Sequence, residues 1–265
     1  MNKNFFLELK NQALADLSQA HLKQHFYTGQ KMIEYSDHNT VSGVCSWSAH
    51  KPNDTLIYSN GTVSGKKHWV SGVSLSQWVA VAAMENNEKI VVLIPSDQLT
   101  LEPVNTSGME DTLTVNFICN QMPAVKLFDW TDHELSIIFR CHMMSFITNH
   151  LGLAQALFDD IDRYTKRNAF DYIKKKTKLD IEILQFLWEK EIEYDFSQSQ
   201  DQSICYHLMY AFAKKILFSV TSLVIEFTGS GIYDTTMPGH QRYKDALIYS
   251  THMKNISTAL DLVNF

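Results

Sequence analysis

Residues 59–83 read SNGTVSGKKHWVSGVSLSQWVAVAA, and this stretch decides the fold. Asn60-Gly61 stands between the runs TLIYS and TVSGKKHWVSG. A two-residue type I′ turn needs positive φ at both central positions, which Asn and Gly supply. The run QWVAVAAM then meets KIVVLIP across Asn86-Asn87-Glu88, which reads as a second hairpin. Downstream, LTLEPV, TLTVNF and AVKLFD add further short strands. Six or more strands with no helix between them predict an antiparallel barrel or sandwich over residues 31–128.

Outward from this region the hydrophobic period changes on both sides. Phe6, Leu9, Ala13, Leu17 and Ala20 recur at helical spacing, predicting one helix over residues 1–30 with Gly29 as its stop. On the other side Thr131-Asp132-His133-Glu134 reads as a capping box, with Leu135, Phe139, Phe146, Leu153 and Leu157 on one face behind it. That helix would run about 33 residues, roughly 50 Å. Helical stretches near 178–194, 203–227 and 240–262 follow, the last opened by Pro238. Residues 129–265 therefore read as an up-and-down four-helix bundle. The fold class is α+β, with three parts: residues 1–30, 31–128 and 129–265.

Composition narrows the function classes. With 45% hydrophobic and 12% aromatic residues in 265, the chain has material for a full core and is not a disordered segment. A formal charge of −6 argues against holding nucleic acid by a general basic surface. No apolar run of about 18 residues is free of polar breaks, so no membrane span is expected. The stretch MNKNFFLELKNQ lacks a signal-peptide core, and the four cysteines show no C-x-x-C spacing. A soluble cytoplasmic protein is the expectation.

Four motifs, in order, carry a resemblance. The stretch SNGTVSGKKHWVSGVSLSQWVAVAA is similar to the β-domain signature G-x-K-x-W-[IV]-[ST]-G of the acyl-CoA dehydrogenase superfamily. GMEDTLTVNF followed by VKLFD resembles its next strand element, and LGLAQALFDDIDRYTKRNAF its G-x-A helix. GSGIYDTTMPGHQRYKDALIYSTH resembles its closing G-G-x-G…R-D-A element. The resemblance implies a flavin, FAD or FMN, with Trp69, Val70 and Ser71 against its isoalloxazine. It also implies cofactor contacts from Arg167, Phe170, Gly229 and Gly231. An indole supplies a flat apolar wall, a hydroxyl can bond the N5/O4 edge, and an Arg fork pairs two phosphate oxygens. The implied partners are acyl-CoA or another small molecule and further copies of the chain, as a homodimer or homotetramer through the bundle.

Departures from the family pattern bear on the chemistry. The N-terminal helical domain is reduced to about one helix, Asp171 replaces a Gly, Ile225 a Gln, and Lys244 the second Arg of R-x-x-R-D-A. The two positions for the family's catalytic Glu hold Met253 and His142. A thioether cannot act as a base. His252, beside Met253, resembles a His of the flavin-dependent monooxygenase branch, so His252 and His142 are the catalytic candidates. Each also has a plain structural reading: His142 lies on an apolar helical stripe, where a hydrogen-bonded core His is the commoner case. Trp69 and Ser71 could be ordinary strand residues, Arg167 a solvated helix end, and Lys174–Lys176 a solvated face. His21 and His25 have i,i+4 metal spacing but no third ligand, so they read as the polar face of the first helix and no metal is expected. Two functions remain open: a flavin-dependent oxidoreductase, either acyl-CoA dehydrogenase-like or monooxygenase-like, or a non-catalytic relative that has lost the base and the lid domain and serves as an oligomeric binding scaffold.

Overall fold

The computed structural model describes residues 2–38, 41–46, 55–164, 171–193, 203–229, 231, 234–236 and 239–251. Both hairpins form as read. Strand β2 (Leu56–Ser59) meets β3 (Thr62–Val70) with Ser59 opposite Thr62, and Asn60 and Gly61 take φ of 50° and 76°. β4 (Trp78–Glu85) meets β5 (Glu88–Pro95) with Glu85 opposite Glu88, and Asn86 and Asn87 take φ of 50° and 70°. β1 (Val44–Ser46), β6 (Thr100–Pro103), β7 (Val115–Pro123) and β8 (Val125–Asp129) complete one eight-stranded sheet. Its order is β6-β7-β3-β2-β4-β5-β8, with β1 also on β4.

The sheet is mixed rather than purely antiparallel. β1 pairs with β4 in parallel through Val44 and Trp78, and β2 joins β4 in parallel at Ile57 and Met84. β5 occupies one edge of β4 throughout, so the two short strands share the other edge, one at each end. A hydrophobic core of Val63, Val70, Val79, Val81, Ile90 and Phe117 lies against these strands.

The first helical segment is two helices, α1 (Lys3–Ala15) and α2 (Leu17–Glu34), not one. Asp16 breaks it with extended backbone and accepts the Gln19 N–H at 3.1 Å, capping α2. Gly29 does not stop the helix. A Cβ there would come within 2.3 Å of Val44 O, so glycine is required for β1 to approach the helix backbone.

Helix α3 (His133–Tyr164) matches its expected length. It starts one residue late for Thr131 to cap it. Asp132 takes that place, and its carboxylate turns back to accept the Asp129 N–H at 2.8 Å. α4 (Asp171–Glu193), α5 (Ser203–Thr228) and α6 (His240–Thr251) complete the helical part, while Pro238 lies outside the described residues. Over Tyr206–Thr228, α5 is by length and composition long and apolar enough to cross a membrane, which the polar breaks in its sequence did not suggest. Half of that window is buried.

The chain divides into two compact units. One comprises residues 1–21, 107–109 and 143–265, and the other residues 22–106 and 110–142. In the helical unit, the buried Asp245 accepts the Met109 N–H at 2.6 Å and the Gln241 amide at 2.8 Å. Burial pushes its carboxyl above the ordinary carboxylate value, against these bonds. The folded protein therefore holds a proton at pH values where the unfolded chain has lost it. That contribution is present below about pH 4 and is lost as pH rises through the raised value. Asp245→Asn keeps an acceptor oxygen without the charge. Its urea midpoint relative to the wild type is expected to rise as pH increases across this window, and a flat difference would contradict the assignment.

Candidate functional site

The G-x-K-x-W-V-S-G stretch lies on β3 and the turn after it. Lys67 sits opposite Phe117, and Val70 opposite Val115. Three steps on β3 thus match two on β7, so one extra residue bulges out. Trp69 takes up this slack with φ of 57°, a left-handed conformation that costs a non-glycine residue about 1–3 kcal/mol. A bulge leaves a backbone donor without its ladder partner. Here the Trp69 N–H donates to Asn116 Oδ1 at 3.2 Å, so a side chain replaces the missing carbonyl. The indole remains 38% exposed.

Past the bulge, Val70 is buried in the sheet core, and Gly72 turns with φ of 77° and donates to Thr112 O at 3.1 Å. A Cβ on Gly72 would press on Leu22 and Phe26 of α2, at 3.1 and 3.4 Å. Ser71, buried between them, pairs its hydroxyl with Thr114 Oγ1 at 2.8 Å, and Thr114 pairs with Thr112 Oγ1 at 2.8 Å. Leu113, between those threonines, also has positive φ. Strained backbone therefore gathers around one exposed indole and one hydroxyl chain. Such clustering is a recurring mark of functional sites.

The other candidates fall elsewhere. His142 is buried on α3, with Nδ1 at 2.9 Å from Thr28 Oγ1 and its ring 5.8 Å from that of His25. His21 and His25 are buried too, so they are not a polar face. His25 Nδ1 bonds Ser46 O, and Ser46 Oγ returns a bond to His25 O at 3.1 Å. Interior backbone of β1 supplies the partner that makes this burial possible. No group of three His, Cys, Asp or Glu among the described residues could hold a metal ion. Gly229 ends α5 with φ of 56°, and Gly231 is exposed. Arg167, Phe170 and His252 lie outside the described residues. In the closing element, Arg242 pairs with Asp160 at 2.6 Å, a bond within the helical unit. Lys176 reaches Asp180 at 2.6 Å on the exposed face of α4.

No family model matches the sequence, and no curated protein matches it. Solved structures do. Butyryl-CoA dehydrogenase from Megasphaera elsdenii superposes with a TM-score of 0.80 at 14% identity, covering 98% of this chain and 80% of that one. The chain has the acyl-CoA dehydrogenase-like fold. XiaF from Streptomyces sp., in complex with FADH2 and glycerol, gives 0.79 at 13% identity over 99% and 80% of the two chains. Dibenzothiophene monooxygenase from Paenibacillus sp. A11-2 gives 0.76 at 14% over 99% and 82%. The acyl-CoA dehydrogenase-like fold thus carries a dehydrogenase and a monooxygenase at equal distance from this sequence, and does not choose between them. Among the described residues, α1 and α2 are the helices ahead of the sheet.

Sequence reasoning passed over Asn116, Thr112 and Thr114, and did not foresee the burial of Lys67 at 1% exposure. A signal was present for the first three. Thr112, Thr114 and Asn116 alternate in TLTVN, a period-2 polar pattern leading into β7, of which only Asn116 is a strand residue.

Proposed function

We propose that this chain is a cytoplasmic flavin-dependent oxidoreductase that takes FAD or FMN with the isoalloxazine edge at Trp69, Val70 and Ser71. The carrying observation is the exposed indole of Trp69, held in left-handed backbone by Asn116, two residues before the buried, hydrogen-bonded Ser71 hydroxyl. These residues fit a flavin. An indole face offers a flat apolar wall, and a hydroxyl can either donate to or accept from a ring nitrogen. Similar folds hold FADH2 in XiaF and FMN in the Paenibacillus enzyme, which supports the same ligand class here. By the resemblance, Arg167, Phe170, Gly229 and Gly231 would also contact the cofactor and His252 would handle protons, with acyl-CoA or another small molecule as the substrate. The test is to add FAD, and separately FMN, to the purified chain. Uptake that weakens at least tenfold in Trp69→Ala supports the reading, and no uptake by the wild type ends it.

A second reading has its own observation. His142, one of the two positions for the usual base, is engaged by Thr28 in the interior, and the other position holds Met253. A non-catalytic relative acting as an oligomeric scaffold fits these facts, and flavin uptake without turnover would favour it.

Both readings need more than one copy. Tyr172, Leu179, Ile183 and Phe186 form an exposed stripe along α4, and Leu208 and Phe218 stand exposed on α5. Contiguous apolar surface of this kind marks an interaction site. A homodimer or homotetramer through the bundle is the expected result of light scattering at micromolar concentration. A monomer throughout that range would contradict it.

A further inference from the structure

The hydroxyl chain Ser71–Thr114–Thr112 holds a count that has a functional consequence. Three oxygens share two hydrogen bonds, each 2.8 Å long, and each hydroxyl brings one proton. Thr114, in the middle, can donate to either neighbour while it accepts from the other, which gives the chain two senses. In one sense Ser71 donates inward to Thr114, which donates to Thr112, and Ser71 faces outward only as an acceptor. In the opposite sense Thr112 donates to Thr114, Thr114 donates to Ser71, and the Ser71 proton points outward. Rotation about three C–O bonds interconverts the two without moving a heavy atom.

We infer that Thr114 is a positioning residue that sets the hydrogen-bonding sense of Ser71, and that the chain reverses with the redox state of the flavin. This rests on the flavin reading above. N5 of an oxidised flavin carries a lone pair and accepts, whereas N5 of the reduced form carries a proton and donates. A single fixed donor or acceptor would suit one state and oppose the other. The Ser71 hydroxyl, backed by a reversible chain, suits both.

The two states depend on Thr114 unequally. When Ser71 donates outward to oxidised N5, its proton is satisfied without help. When it accepts from reduced N5–H, its own proton needs Thr114 as acceptor. Ser71 is only 5% exposed, so water is a poor substitute and an unmade bond there is costly. Thr114→Val removes the acceptor at nearly constant volume. It should weaken the binding of reduced flavin about tenfold more than that of oxidised flavin. For a two-electron couple this lowers the midpoint potential of the bound flavin by about 30 mV. Thr114→Ser should restore the wild-type potential.

The experiment is a potentiometric titration of bound FAD in the wild type, Thr114→Val and Thr114→Ser, with FAD affinity measured in parallel. If Thr114→Val does not fold, Thr112→Val replaces it. That change strands the Thr114 proton in the same state and should shift the potential with the same sign. A negative shift in the Val variant with recovery in the Ser variant supports the inference. An unchanged potential, or equal weakening of both redox forms, overturns it while leaving the flavin reading intact. Failure of the wild type to take up flavin removes the flavin reading and this inference together.

Discussion

Trp188→Ala is expected to cost about 3–5 kcal/mol, the range for truncating a buried aromatic side chain. Trp188 is fully buried on α4, and its indole N–H donates to Thr148 Oγ1 on α3 at 2.7 Å. Thr148 in turn donates to Met144 O at 2.7 Å, so its hydroxyl is used in both directions. Lys10 of α1 stands 5.5 Å from the ring, and burial lowers its pKa despite the opposing pull of Glu189. One side chain therefore ties three helices of the helical unit. The alanine variant opens a cavity and leaves Thr148 without its donor. Trp188→Phe keeps most of the volume and loses mainly the hydrogen bond, so about 1–2 kcal/mol is expected. Urea titration checks both. An alanine variant within 1 kcal/mol of the wild type, by the roughly 1 kcal/mol spread of ordinary substitutions, would remove Trp188 as the anchor.

Local chemistry explains which elements could be read from sequence. The two hairpins announced themselves because Asn60, Gly61, Asn86 and Asn87 are among the few residues that accept positive φ cheaply. α3 was readable because its apolar period runs unbroken through 32 residues. The break between α1 and α2 hid behind that same kind of period, since Leu9, Ala13, Leu17 and Ala20 continue across it. The local signal was Asp16-Leu17-Ser18-Gln19, a capping pattern inside an otherwise continuous stripe. Gly29 failed for a different reason. A glycine can end a helix or admit a neighbouring backbone, and only the position of Val44 O tells which. The parallel pairing of β1 with β4 joins residues more than thirty positions apart, beyond any local pattern.

At the site, Trp69 and Ser71 stood out as motif residues, while the groups that hold them did not. Asn116 matters because β3 bulges, and a bulge becomes visible only when two strands are paired. The buried histidines failed the same way. His25 is tolerated inside because Ser46 of β1 meets it, and His142 because Thr28 does. Spacing along a helix cannot show a partner on another element.

Reconstituted with flavin and offered straight or branched acyl-CoA without oxygen, the protein is expected to bleach its flavin about 10²–10⁴-fold more slowly than a dehydrogenase with a placed carboxylate. A bound flavin would supply the hydride acceptor. The chain itself must remove the α-proton, with a base within hydrogen-bond reach of it. Met253 has no basic group. At His142, Thr28 Oγ1 donates to Gln24 O at 3.0 Å, so toward the imidazole it can only accept. The proton of a neutral His142 is thereby assigned to Nδ1, and the ring is 4% exposed, packed edge-on to His25. Oriented for that interior bond, it is badly placed to meet a thioester. Met253→Glu, which places a carboxylate where the sequence resemblance puts the family's base, is expected to raise the rate. Rapid bleaching by the wild type that survives His142→Asn together with His252→Ala would show that another group of this chain is the base.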